Sequence, residues 1–361
     1  MTEIGSTAFA ACENLASITI PDSVTKIYDK AFYGCKSIAS IDFGSGVTSI
    51  GEQALQGCSS LTSIVIPDSV TSIGNMAFQY CENLTSVKLG SGVTVIGFNV
   101  FSDCKNLTSV QLGNSVTSIG SRAFYGCSSL ASIDIPDSVT KILNSAFQQC
   151  SGLTSINLGN GVTEIGSLAF SGCSSLASID IPDIVTGIGE SAFSGCSSLA
   201  GVNFGNGVTT ISKETFKSCT NLTNVKIGNS VTVIGDQAFN GCSSLESVNF
   251  GDGVAKIGHN AFYNCKSLTS IVIPDSVTEI GRGAFRYCTA LTSAVLGNGV
   301  TTIHDEAFYG CTRLTSINIP DSVTSIGSKV FLESKNIKIT YKGKTYDYAH
   351  RTDFEKAIKG I

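Results

Sequence analysis

Residues Gly126–Ile142 read GCSSLASIDIPDSVTKI, and residues Gly172–Ile188 read GCSSLASIDIPDIVTGI. The second stretch starts 46 residues after the first, which is twice the spacing of 23 between successive cysteines of the chain. The repeat can be written IGxxAFxGCxxLTSIxIPDSVTx, with isoleucine as position 1, and it keeps its register from Ile4 to Phe331. A fixed period of this length predicts a solenoid, in which neighbouring repeats stack on one another.

Each repeat is expected to contain two strands. The alternation of Leu61, Ile64 and Ile66 is typical of a strand. Pro67–Ser69 predicts a turn, because proline fixes φ at a value that suits the second turn position. Val70–Ile73 then predicts a second, shorter strand. Parallel strands from successive repeats are expected to pair, so that equivalent apolar side chains stack in rows.

The segment that leads back to the next repeat is predicted to form one or two helical turns, of α or 3-10 type. Its third position favours helix N-caps, and its eighth position is often glycine, as in Gly57 and Gly126, which suits a helix end. The N-cap candidates are Ser6, Asp29, Asn75, Ser121, Asn144 and Asp236. The fold class expected is one elongated repeat solenoid over residues 1–332, with about fourteen repeats. A parallel β-sheet covers one face, and short helical or 3-10 turns cover the other.

Cysteine occupies the ninth position of all fourteen repeats, from Cys12 to Cys311. There are no CxxC pairs, so the spacing does not fit zinc ribbons or thioredoxin-type motifs. A redox chain or a row of metal ligands is the functional alternative. The interpretation favoured here is a ladder of buried free thiols beside the phenylalanines, without disulfides.

Composition and charge exclude several classes of protein. The chain has 361 residues, of which 14% are charged, and a net charge of −5. Nucleic-acid binding is disfavoured, because it needs a basic surface to neutralise phosphates. No apolar run reaches the roughly 18 residues that a membrane span needs, so no membrane insertion is expected. The N-terminal MTEIGSTAFA lacks the pattern of a signal peptide.

The C-terminal segment, residues 333–361, changes character and ends the cysteine ladder. Ile337–Tyr341 and Thr345–Tyr348 alternate around a short turn, which predicts a β-hairpin. Thr352–Glu355 resembles a capping box, which predicts a short helix with Phe354 on its apolar side. The segment carries a net charge of +3, whereas the repeats carry −8. We expect a cap that seals the last coil; a docking module is the alternative.

Residues that could carry catalysis or bind a cofactor are few. His259, His304 and His350 are the only histidines, and they stand at unlike repeat positions without metal-ligand spacing. GNGV and GDGV lack the lysine of a phosphate-binding loop, so they predict turns. A threonine recurs at position 22, which is explained by one hydroxyl bonded in each coil. The chain is therefore expected to be no enzyme and to need no cofactor.

The outward-facing position 16 of the longer strand varies while its neighbours stay constant. Variable residues on one face of a solenoid are where a ligand is recognised. We predict a protein-binding site at Asp134, Asn157, Asp180 and Asn203, and the two aspartates favour a basic partner. A merely solvated face is the alternative. The tyrosines at position 7, such as Tyr33, offer a second possible contact row on the returning side.

These residues carry a family resemblance. The pattern CxxLTSIxIPxSVTxIGxxAF, as in Cys58–Phe78, resembles the BspA-like class of leucine-rich repeats over residues 4 to about 332. The resemblance implies a leucine-rich repeat solenoid and a cell-surface or secreted protein that binds other proteins or mediates adhesion. It implies no catalytic residues.

The function expected is thus a non-catalytic binding or adhesion module, monomeric, whose ligand is a protein, with a host extracellular protein as the candidate. An extracellular or cell-surface location follows from the resemblance alone, since the chain shows neither a signal peptide nor an anchor. The alternative is a structural spacer or display scaffold within a longer surface protein.

Overall fold

The computed structural model describes residues 1–359 and divides the chain into two compact units, Met1–Leu176 and Ala177–Ile361. In each unit the chain winds as a solenoid of parallel strands, with very little helix, as the sequence predicts. Each coil contributes a long strand at positions 14–16 and a short strand at positions 23 and 1. Fifteen short strands occur in residues 1–359, and each ends at the isoleucine of position 1.

The N-terminal unit contains two rows of strands. The long strands are Ser17–Thr19, Ser40–Asp42, Ser63–Val65, Ser86–Lys88, Ser109–Gln111, Ser132–Asp134 and Ser155–Asn157. The short strands are Glu3–Ile4, Lys26–Ile27, Ser49–Ile50, Ser72–Ile73, Val95–Ile96, Ser118–Ile119, Lys141–Ile142 and Glu164–Ile165. Paired strands run parallel with a shift of one repeat, so that Ile133 lies opposite Ile156.

The C-terminal unit repeats this arrangement and adds a different end. Its long strands are Ser178–Asp180, Gly201–Asn203, Asn224–Lys226, Ser247–Asn249, Ser270–Ile273, Ser293–Leu296, Ser316–Asn318 and Lys338–Tyr341. Its short strands are Gly187–Ile188, Thr210–Ile211, Val233–Ile234, Lys256–Ile257, Glu279–Ile280, Thr302–Ile303 and Ser325–Ile326. Strand Lys344–Asp347, a 3-10 helix Tyr348–His350 and an α-helix Arg351–Lys359 follow.

Rows of equivalent side chains form the core of each unit. Phe124 is fully buried and stacks on Phe147, with ring centroids 5.3 Å apart. Ile133 is also buried, as predicted from its place in the strand. The cysteines are buried in every coil except the first, where Cys12 is half-exposed. Stacking thus confirms that one side chain per coil meets its counterpart in the next.

The returning segment differs from the predicted helical turns. Its fourth position has a positive φ in every coil from Thr7 to Lys329, and left-handed residues interrupt a right-handed helix. The backbone N–H groups of this segment instead donate to two kinds of acceptor. Phe124 N donates to Ala146 O of the next coil. Cys127 N donates to Phe124 O, three residues back in the same coil. The second bond is the i→i−3 bond of a 3-10 turn, but no continuous helix forms.

The predicted N-cap residues consequently have another role. Asn144 Oδ1 accepts a hydrogen bond from the backbone N of Ser167, 3.0 Å away in the next coil. Asp29 Oδ1 accepts in the same way from Glu52 N at 2.8 Å. Side chains at position 3 therefore link coils rather than cap helices. The eighth position does adopt the positive φ expected of glycine, as at Gly57 and Gly126.

The C-terminal hairpin and helix form as predicted. Strand Lys338–Tyr341 pairs in parallel with Ser316–Asn318, with a shift of 22 rather than 23 residues, so this coil is one residue shorter. It also pairs antiparallel with Lys344–Asp347. Phe354 of the helix is fully buried, and its ring lies 6.1 Å from Phe331, at the end of the phenylalanine row.

The details of the helix start differ from the capping-box prediction. Asp347 caps the 3-10 helix by accepting from His350 N, and Thr352 lies inside the α-helix. The boundary between residues 332 and 333 remains a prediction, and the last two residues of the proposed cap, 360 and 361, lie outside the described part of the chain.

Candidate functional site

The outward position of each long strand is set by strand alternation. In Ser132–Asp134, Ile133 points into the core and the flanking Ser132 and Asp134 are exposed. Asp134 lies opposite the exposed Asn157 in the next coil. The structure thus brings together the first two residues of the predicted binding site, in the N-terminal unit.

A depression of about 640 Å³ lies at this pair. Its polar lining consists of Gln111, Asn114, Asp134, Asp137, Ser138, Asn157 and Asn160. Val110, Leu112, Ile135, Pro136, Leu158 and Gly159 complete it. The lining holds two carboxylates and no basic side chain, so it favours a positively charged group of a ligand.

The turns that border this depression are held together across coils. Asp137 Oδ1 accepts from the backbone N of Asn160 at 2.8 Å. Gly161 is needed one residue later, because a Cβ there would overlap the carbonyl oxygen of Asp137. The same aspartate contact lowers the pKa of Asp68 in an equivalent turn, where it accepts from the backbone N of Ser91. The rim is therefore a rigid backbone feature built by Pro-Asp followed by Gly-x-Gly.

The other two predicted residues, Asp180 and Asn203, meet in the C-terminal unit. They are register partners, and Asn203 Nδ2 donates to Asp180 Oδ1 at 2.5 Å. A depression of about 290 Å³ beside them includes Asn203 and Lys226 but not Asp180. The two residues of this second pair therefore bond to each other, and the depression beside them includes the cation of Lys226, so the surroundings of this pair are less acidic than those of the first pair.

Exposed apolar residues on the strand face were not predicted as part of the site. Val272 and Val295 are register partners at position 16, with 61% and 52% of their surface exposed. They line a depression of about 560 Å³ together with Pro274 and Asp275. The sequence could have indicated this apolar surface, because these repeats have valine at position 16, where most repeats have a polar residue.

Aromatic and basic residues on the returning side of the C-terminal unit pack on one another. The guanidinium of Arg286 lies 5.0 Å from the ring centre of Tyr287 and 4.6 Å from that of Tyr309. Arg286 also pairs with Glu306. The tyrosines of the predicted contact row therefore make internal cation–π contacts in this unit. In the N-terminal unit, by contrast, Tyr33 is 43% exposed.

His304 and His350 each lie beside a carboxylate, whereas His259 Nδ1 accepts a hydrogen bond from the backbone N of Arg282. His304 Nε2 lies 2.7 Å from Glu279 Oε1, and His350 Nδ1 lies 2.7 Å from Asp347 Oδ1. A hydrogen bond from Lys256 lowers the pKa of Glu279, and Asp347 raises the pKa of His350. Within residues 1–359, no group of three His, Cys, Asp or Glu side chains could hold a metal ion.

Most of the buried cysteines lie in surroundings that favour the protonated thiol. Burial raises the pKa of Cys58 to about 12, and that of Cys127 well above its usual range. A thiol in this state is unreactive, which supports the interpretation as packing residues over a redox chain or metal row. In the described part of the chain, no helix is long and apolar enough to cross a bilayer.

Several solved structures are similar to this chain. A leucine-rich repeat protein from Bacteroides ovatus is 31% identical over 94% of this chain and 82% of its own, with a TM-score of 0.77. A leucine rich cell surface protein from Faecalibacterium prausnitzii is 33% identical over 82% of this chain and 83% of its own, with a TM-score of 0.49. The pneumococcal vaccine antigen PcpA is 20% identical over 94% and 85%, with a TM-score of 0.50.

None of the curated proteins matches this chain. The BspA type leucine-rich repeat region matches residues 2–131, 117–236 and 209–338. These matches cover nearly all of the repeats, and the chain therefore belongs to the BspA type leucine-rich repeat family.

Proposed function

We propose that this chain is a non-catalytic protein-binding module that acts at a bacterial cell surface or outside the cell. Its strand face binds a basic segment of a protein ligand. The observation that carries the proposal is the acidic depression of the N-terminal unit, in which Asp134 and Asn157 lie side by side.

Two features of the coils support binding at position 16. Most polar groups of the framework bond between coils: Thr140 Oγ1, for example, donates to Thr117 O at 3.3 Å. The polar groups of such residues are used in hydrogen bonds between coils, and the residues vary little from repeat to repeat. Residues at position 16 project outward from a fixed backbone, so they can change without disturbing the coils. This combination of a rigid frame and a variable surface suits recognition.

The location and the partner rest on the family. Its members are mostly surface or secreted proteins, which supports an extracellular or cell-surface setting and a host extracellular protein as ligand. We propose that the chain binds as a monomer, with Asp180 and Asn203 as a second contact in the C-terminal unit.

The proposal is tested with two charge-reversing double variants, Asp134→Lys with Asn157→Lys, and Asp180→Lys with Asn203→Lys. Lysine is tolerated at position 16, because Lys88 is native there. Surface plasmon resonance against purified host extracellular matrix proteins and a lysine-rich peptide measures affinity at low and high salt. We expect the first variant to weaken binding by about tenfold or more, and the native affinity to fall as salt rises.

Asn249→Lys with Asn318→Lys is the matched control, since both residues are exposed at position 16 away from the acidic depression. It should bind as the native chain does. Equal binding by the first variant and the control would overturn the site. Binding by none of the probes would favour the alternative function, a spacer that displays other domains.

A further inference from the structure

The N-terminal unit has another depression, on the side of the short strands. Its volume is about 480 Å³, and it extends over three successive coils. The residues of positions 2 and 3 in these coils form half of its lining: Tyr28, Asp29, Gly51, Glu52, Gly74 and Asn75. The binding function proposed above uses the long strands, so this depression is a separate surface.

One wall of the depression is an exposed aromatic ring. Tyr28 stands at position 2, where the adjacent coils have Gly5 and Gly51, and 39% of its surface is exposed. With glycine on both sides, no side chain of position 2 covers the ring. The sequence signal is therefore a tyrosine in a row made mostly of glycine.

The floor beside Tyr28 is backbone that has to stay bare. A Cβ at Gly51 would come within 2.5 Å of Asp29 N, and a Cβ at Gly74 would overlap the backbone of Glu52. The coils of Gly51 and Gly74 therefore pack too closely on the preceding coils for a side chain at position 2. Closely packed backbone next to an exposed aromatic ring is a preformed surface for a ligand.

Polar groups at position 3 also line the depression. Asp29 Oδ1 accepts from Glu52 N at 2.8 Å, and Asn75 Oδ1 accepts from Phe98 N at 3.0 Å. These bonds fix the two side chains and use one oxygen of each. The second carboxylate oxygen of Asp29, the carboxylate of Glu52 and the amide nitrogen of Asn75 remain for hydrogen bonds to a ligand.

A second exposed aromatic residue lies one coil beyond Asn75. Phe98 is at position 3 and is also 39% exposed. Three coil spacings separate it from the coil of Tyr28, which corresponds to about 14 Å at the usual strand separation. A ligand that touches both rings thus has to be extended along the coils.

We propose that this depression, together with Phe98 in the next coil, binds a neutral saccharide chain of about three sugar rings, one ring against Tyr28 and another against Phe98. The C–H faces of a sugar pack on an aromatic ring, and its hydroxyl groups are donors for carboxylates and amides. Asp29 and Glu52 outnumber the one basic residue of the lining, Lys26, so acidic saccharides are disfavoured.

Saturation-transfer difference NMR on the full chain tests the proposal. The probes are maltotriose, cellotriose, mannotriose and triacetylchitotriose at millimolar concentration, with trigalacturonic acid as the acidic comparison. We expect transfer to at least one neutral trisaccharide and none to the acidic one. Tyr28→Gly restores the residue of the adjacent coils, so it keeps the fold, and it should weaken binding by about tenfold or more. Tyr28→Phe keeps the ring and should bind within about threefold of the native chain.

Tyr33→Gln is the matched control. Tyr33 is equally exposed but lies at position 7, where Gln56 and Gln79 are native, and the variant should bind as the native chain does. Absence of transfer to all four neutral trisaccharides would overturn the proposal, as would unchanged binding by Tyr28→Gly or preferred binding of the acidic probe. Binding of a basic peptide that Tyr28→Gly abolishes would reassign this surface to a protein ligand.

Discussion

The thiol of Cys127 donates a hydrogen bond to the backbone carbonyl oxygen of Phe101, 26 residues earlier, with 3.2 Å between Sγ and the oxygen. The same carbonyl accepts from the backbone N of Cys104, so both of its lone pairs are used. In the last coil Ser334 replaces cysteine, and its Oγ donates to Phe308 O at 3.2 Å. The ninth position thus provides a small buried donor as well as volume.

Cys127→Ala is predicted to lower the free energy of unfolding by about 1–2 kcal/mol, because it removes the donor and leaves a small cavity. Cys127→Ser keeps the donor and should cost less, since serine occupies this place in the last coil. Urea denaturation followed by circular dichroism compares the two variants. Equal stability of the two variants would show that volume alone matters, and a serine variant less stable than the alanine variant would show that the hydroxyl finds no acceptor at this position.

Alkaline pH is predicted to destabilise the fold through the thiols. A free thiol titrates near 9.0, whereas burial raises the pKa of Cys58 to about 12. A folded-state pKa above the unfolded one means that the folded chain holds the proton longer. The stabilisation is complete below pH 9 and is lost as pH rises towards 12, by about 1.4 kcal/mol per pH unit for each such thiol.

Urea midpoints measured from pH 7 to pH 11 check this dependence. Lysine and tyrosine also titrate at high pH, so the comparison with Cys58→Ser isolates the thiol. We expect the variant to lose less stability above pH 9 than the native chain. Parallel curves for the two proteins would assign the alkaline loss to other groups.

Gly161 is predicted to tolerate no side chain. A Cβ there would overlap the carbonyl oxygen of Asp137 in the preceding coil, and Gly161→Ala should cost about 1–3 kcal/mol of unfolding free energy. Gly201→Ala is the control, because nothing lies within 4 Å of a Cβ at that strand residue. It should be neutral or slightly stabilising. Thermal unfolding that ranks the two variants equally would contradict the close approach of the turns.

The strands and the core could be predicted from the sequence because each coil repeats one pattern. Alternation placed Ile133 inside and Asp134 outside, and the fixed period placed Asp134 beside Asn157. The returning segment was mispredicted because N-cap residues and glycine signal a helix only when the residues between them adopt helical φ. Here position 4 is left-handed, and its backbone N donates to a carbonyl oxygen of the next coil, 22 residues later, as Arg122 N does to Asn144 O.

The depressions could be predicted only in part. The variable position 16 indicated the strand face, but whether two polar side chains face a ligand or each other depends on their contacts. Asn203 bonds to Asp180, whereas Asp134 and Asn157 line an open depression. The sequence shows Tyr28 at a position that is glycine in most repeats. That its ring lies beside backbone without side chains follows only from the packing of the coils.

The last prediction is that the fourteen cysteines stay free, even though their number is even and an oxidising setting is proposed. Phe124 and Phe147 stack at 5.3 Å, so adjacent coils lie close enough here for the Cα separation of a disulfide. The orientation of the Cα–Cβ bonds is what prevents a disulfide. Cysteines at equivalent positions project in parallel, so their Cβ atoms are separated by about one coil spacing, beyond the roughly 3.5–4.5 Å of a disulfide. Most of the sulfurs, from Cys35 onward, are also engaged with a carbonyl, as Cys127 is with Phe101. Thiol titration of the unfolded chain without reductant should find fourteen reactive groups. A count near zero, with the mass of seven bridges, would overturn the packing role of these residues.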